Sequence, residues 1–141
     1  MSAIIKTAIF SILTGDATLN ALIGQDENGD PAVFNASYNE LGNPPFPCIT
    51  FREADGSADG RFRETTIDTE YYDIEIWAQS ESALTIPNIH ARVDALLHNQ
   101  AVTASSGTVY DCVRVTQIPD QYDKALKLHF GLYRYRLVVS R

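Results

Sequence analysis

Residues 65–79, TTIDTEYYDIEIWAQ, form the clearest strand pattern in the chain. Side chains of extended backbone alternate between two faces, so Tyr72, Ile74, Ile76 and Ala78 share one side and Tyr71, Asp73, Glu75 and Trp77 the other. The next residues, SESALTIPNIHARVDALL (80–97), change period without a linker. Ile86, Ile89, Val93, Leu96 and Leu97 recur at helical spacing up to about His98, with Ser80 or Ser82 available as the cap. Pro87 falls early in this helix, where it either sits in the first turn or introduces a kink. A half-buried strand that runs directly into an amphipathic helix predicts a sheet with that helix folded back onto its apolar face.

The flanking sequence fits the same plan. SAIIKTAIFSILTG (2–15) predicts an opening helix: Ile4, Ile5, Ala8, Ile9, Ile12 and Leu13 lie on one broad face, Ser2 is a cap and Gly15 a stop. Phe10 falls outside that face. Asp16 or Thr18 caps a second helical piece, ATLNALIG, ending at Gly24. Strands are expected at VFNASY (33–38), FPCITFRE (46–53), TVYDCVRVTQI (108–118) and LKLHFGLYRYRLVVSR (126–141), with PDQYDKA as the last turn. Between the second and third strands, ADGSADGRFRE (54–64) has no apolar period and too little to bury, which predicts a mobile, protruding hairpin arm. The predicted class is α+β: a mainly antiparallel sheet with two helices packed on one face.

Size and charge limit what such a domain does. The 141 residues, 45% hydrophobic, suit one domain with a substantial core. No apolar run approaches the roughly 20 residues that cross a bilayer, and Met1–Leu13 lacks the features of a signal peptide, so no membrane partner and a cytoplasmic site of synthesis are expected. Cys48 and Cys112 each lie in an apolar run and are read as free buried thiols. The formal charge of −7, from 18 acidic and 11 basic residues, disfavours a grip on nucleic acid. An acidic channel wall, by contrast, would let DNA slide past.

Sets of residues that carry catalysis are missing from the pattern. There is no G-x-S-x-G elbow and no glycine-rich phosphate cradle. GQDENGDPAV (24–33) imitates a calcium loop through Asp26, Asn28 and Asp30, yet Pro31 and Ser37 stand where such a loop needs Gly and Glu. His90 and His98 are roughly 12 Å apart along a helix, too far to share a metal, and all three histidines are read as solvated or capping. Asp73 and Glu75 sit about 6.6 Å apart on one strand face, a spacing that an acid and base pair could use. An amphipathic strand with a wet face gives the same pair, and cross-strand pairing with Arg134 and Arg136 is the ordinary expectation.

In order along the chain, the DATLNALIG-like segment after an opening helix, the Pro-rich entry FPCITFRE, the junction IEIWAQSESA before ARVDALL, and the terminal strand GLYRYRLVVSR resemble the tail completion proteins of long-tailed bacteriophages. That family is similar in fold to the tail terminator of phage lambda. The resemblance implies a structural virion protein without a cofactor, assembled as a ring, commonly a hexamer. Such a ring caps the major tail tube protein, joins it to the head-tail connector or stopper protein, and leaves an axial hole through which DNA passes. It also implies a place in the virion tail or neck, after assembly in the host cytoplasm. A ring needs two different patches on each subunit. Those expected are Phe10 on the first helix, Arg61, Phe62 and Arg63 in the arm, and Tyr71 and Trp77 on the outward strand face. The alternatives are another neck component, an adaptor or stopper bound to the portal, and a hydrolase using Asp73 and Glu75 as acid and base.

Overall fold

The computed structural model describes residues 2–54, 58–62, 65–79, 84–100, 102 and 108–140. Its elements are α1 (Ser2–Thr14), α2 (Ala17–Asn20), β1 (Val33–Phe34), β2 (Cys48–Glu53), β3 (Ala58–Phe62), β4 (Thr65–Ala78), α3 (Thr85–Leu97), β5 (Thr108–Asp123) and β6 (Leu128–Ser140). The strands form one open sheet in the order β1-β2-β4-β6-β5, and β3 pairs with the part of β4 that β2 does not reach. All pairings are antiparallel except β1 with β2. The α+β architecture expected from the sequence is the one observed.

Alternation along β4 divides the interior in two. Tyr72, Ile74 and Ile76 join Ile49 and Phe51 of β2, and Tyr133, Tyr135 and Leu137 of β6, in an apolar layer. Ile5, Ile9 and Leu13 of α1 and Ile86, Ile89, Val93 and Leu97 of α3 close over it. Each such side chain contributes roughly 1.5–3 kcal/mol relative to exposure, which is what holds two short helices on the sheet. Pro87 is the third residue of α3, so the first-turn reading is correct: its missing N–H would have no partner there in any case. Ser80 and Ser82, the expected caps, lie outside the described residues; the cap position is Leu84, which makes no side-chain cap bond.

Asp16 is the cap of α2 and receives the Leu19 N–H at 2.8 Å. The same carboxylate accepts from Nε and Nη2 of Arg92 of α3, at 2.8 and 2.7 Å, so one side chain caps the start of a helix and ties two helices together. The Arg92 hydrogen bond holds the Asp16 carboxyl below its usual range. Both cysteines are free and buried, as expected, and burial pushes each thiol up to about 12.

Three elements differ from their sequence reading. The second helical piece is only four residues long, because Ile23 is buried and Gly24 meets the chain at Pro47, where a Cβ would lie 2.9 Å from the Phe46 carbonyl oxygen. The strand expected at 33–38 keeps just Val33–Phe34 in the sheet; the chain then enters a 3₁₀ turn at Tyr38–Glu40. The expected turn at 119–125 is mostly strand, since β5 runs through Pro119 to Asp123 and turns at 124–127. Pro119 is tolerated because β5 is a sheet edge and its ladder shifts register between Ile118 and Gln121.

Ile76→Ala should lower stability by about 3 kcal/mol, since its side chain is fully buried. Ile118→Ala, at an exposed position, should stay within about 0.5 kcal/mol. Urea denaturation of the two variants checks the contrast.

Candidate functional site

The acidic pair on β4 sits in a ladder of ions. Register places Asp73 between Arg52 of β2 and Arg134 of β6. Arg134 grips both Asp73 oxygens, at 2.7 and 3.1 Å, and the carboxylate is nearly buried. Glu75 lies 3.8 Å from Arg52, and burial raises its carboxyl above the usual range against the pull of that arginine. Arg136, expected beside this pair, instead bonds Asp111 of β5 at 3.1 Å, because register sets it opposite Tyr71 and Val113. A polar pocket of about 180 Å³ opens among Arg52, Glu53, Ala54, Asp73 and Arg134. The pair therefore has cross-strand arginine partners, with Arg134 as expected and Arg52 in place of Arg136, while the face expected to be wet is largely covered at these two residues.

The residues predicted to meet a partner are dispersed. Phe10 is 42% exposed on α1. It lines a groove of about 800 Å³ together with Val33, Phe34, Leu41, Asp26 and Asp30. Arg61 and Phe62 belong to β3, whose pairing with β4 runs from Ala58↔Thr69 to Phe62↔Thr65 as a hairpin at the end of the sheet. Arg63, and with it residues 55–57 and 64 of the expected arm, lies outside the described residues. Tyr71 is half-buried opposite Arg136. Trp77, expected on an outward face, is 6% exposed. Tyr38 stacks on one side of it at 4.6 Å and Phe130 at 4.8 Å, while its indole N–H donates to Thr50 at 3.2 Å. This second, smaller core also holds Ala32, Cys48 and Leu128.

Two features were not foreseen. Val115, Ile118, Tyr122 and Leu126 are exposed apolar side chains on β5 and the turn after it. The strand pattern ends at Ile118 and PDQYDKA reads as a turn, and no apolar run after Pro119 marks the continuation. The other is His90, which is buried rather than solvated or capping. Its ring stacks on Tyr133 at 3.5 Å and its Nε2 lies 3.3 Å from the Tyr135 hydroxyl. Tyr135 donates to Asp94 at 2.8 Å, and Arg114 pairs with Asp94 at 3.0 Å. Burial lowers His90 to about 4, opposed by Asp94 and assisted by Arg114.

Among the described residues no three metal-binding side chains converge, and no helix is long and apolar enough to cross a membrane. What the surface does present is an apolar groove, a hairpin, and an exposed apolar strip. Against protein-family models, residues 7–140 match the tail completion protein gp17 family. The chain belongs to that family. A gp17-family chain is a structural component of a phage tail, in agreement with the resemblance drawn from the junction at Trp77 and the strands around it. Among solved structures, a chain in the virion of a native gene transfer agent particle has a similar fold: TM-score 0.78 at 17% identity, over 99% of this chain and 96% of that one. No curated protein matches the chain.

The buried histidine should make the stability of this gp17-family chain depend on pH. His90 titrates lower in the fold than the ordinary 6.5, so its contribution is complete above that value and is lost as the pH falls toward about 4. The loss should total about 3 kcal/mol. His90→Gln should flatten the fall in urea midpoint across that window; an unchanged slope would assign it to other groups.

Proposed function

We propose that this gp17-family chain completes the tail tube of a long-tailed phage or prophage as a ring of identical subunits, commonly six, with an axial channel for DNA. Its role is structural and non-catalytic. One side of the ring meets the tail tube protein and the other the connector or stopper protein of the head. It acts in the tail or neck of the virion after assembly in the host cytoplasm. The observation that carries this reading is the family match over nearly the whole chain. The fold shared with a chain of a gene transfer agent virion adds support.

The charge pattern favours passage of DNA over retention. Arg52, Arg92, Arg114, Arg134 and Arg136 are each paired with a carboxylate inside the subunit. Guanidinium groups already neutralised in this way, on a chain of net charge −7, offer little to phosphates. Phe10, the β3–β4 hairpin with Arg61, Phe62 and Arg63, and Tyr71 are the surfaces proposed for subunit and partner contacts. Trp77 contributes from beneath, by holding the segment around Tyr38 in place.

Native mass measurement of the purified protein, alone and with tube or connector protein, is expected to reveal a ring in at least one condition. A monomer in both would overturn the proposal, and binding to portal without binding to tube would favour the adaptor or stopper reading. Deleting residues 55–63 should leave the melting temperature within a few degrees and weaken assembly. A large drop in melting temperature would place the hairpin in the core instead.

A further inference from the structure

We propose that the β5–β6 turn of one subunit, carrying Tyr122, Lys124, Leu126 and Lys127, seats in the groove beside Phe10 of a second copy of the chain. This rests on the ring reading and specifies its contact. The turn presents apolar surface with a small excess of positive charge: Tyr122 is 51% exposed, Leu126 is also exposed, and Lys124 and Lys127 outnumber Asp123, whose Oδ1 accepts the Leu126 N–H at 3.0 Å. Among the described residues these two lysines form no ion pair, whereas the five arginines with described side chains all do. Lys6 of α1 is likewise without an ion pair among the described residues, but only Lys124 and Lys127 stand together.

The groove has the complementary character. Its lining is largely apolar, with Phe10, Phe34 and Leu41, and includes the acidic residues Asp26 and Asp30. Asp26 is fixed there, because its Oδ1 accepts the backbone N–H groups of Asn28 and Asp30 at 2.8 and 3.0 Å. A space of about 800 Å³ is large enough for an aromatic and an aliphatic side chain to enter together.

Topology makes the contact intermolecular. The groove adjoins β1 and the turn follows β5, at opposite ends of the strand order, with β2, β4 and β6 between them. The turn joins β5 to β6, three to four strand spacings from β1, roughly 14–19 Å, which sets it apart from the groove of its own subunit. Two complementary patches on opposite edges of one subunit define a head-to-tail contact. Such contacts close into a ring when the rotation per subunit divides a full turn.

The test is a charge swap followed by native mass spectrometry and sedimentation, with circular dichroism to confirm folding. Lys124→Glu with Lys127→Glu should weaken self-association at least about tenfold, and Asp26→Lys with Asp30→Lys should do the same. An equimolar mixture of the two double variants should regain assembly, because each turn then finds a groove of opposite charge. If wild-type protein forms rings and the swaps leave them intact, the ring stands and this contact is wrong. If the swaps abolish binding to tube or connector protein but spare the ring, the turn serves that partner and the proposal is again overturned. A wild-type protein that is monomeric under every condition removes both the ring and the contact.

Discussion

Register between β4 and β6 is the constraint on which the rest of the structure depends. Twelve pairs, from Ile67↔Ser140 to Ala78↔His129, set Tyr72 opposite Tyr135 and Ile74 opposite Tyr133 on the helix side, and Asp73 opposite Arg134 on the other. A slip of one residue would turn the apolar set to water and draw a row of charges beneath α1 and α3. The bidentate Arg134–Asp73 pair and the Trp77–Phe130 stack act against such a slip from the face away from the helices. One strand pair thus defines both the main core and the ionic face behind it.

What the sequence disclosed follows from this. Regular period was readable wherever one neighbour repeats along the whole element, as in α1, α3, β4 and β6. The bounds of α1, β4 and β6 fall within two residues of their expected positions, and α3 starts two to four residues later than its expected caps allow. The aperiodic segment 31–47 was not readable in the same way, because it folds over the sheet through single contacts of Tyr38, Phe46 and Ala32 around Trp77. Alternation correctly assigned Trp77 to the face away from the helices and could not tell that a loop covers it. His90 shows the same limit: its helical position was clear, while its partners Tyr133, Tyr135 and Arg114 come from strands at least 24 residues away.

The candidate surfaces divide along similar lines. Phe10 was found as an exception to its own helix face, which is a local signal. The groove it borders requires Val33, Phe34 and Leu41 from another part of the chain, and no spacing rule joins them to α1. The ion pairs were anticipated in kind but only partly in partner, since Arg134 and Arg136 are two residues apart and only register decides that Asp73 receives one and Asp111 the other. Family resemblance succeeded because it depends on the order of elements along the chain, which is less sensitive to such details.

The buried thiols carry a consequence for chemical durability. Cys48 and Cys112 lie in separate clusters, in the small core around Trp77 and in the main core beneath α3. With each thiol pushed up to about 12, almost none is thiolate at neutral pH, and thiolate is the form that oxidises or exchanges. The fold thus relies on no redox-sensitive bond between these residues, which are held as buried free thiols in separate parts of the core.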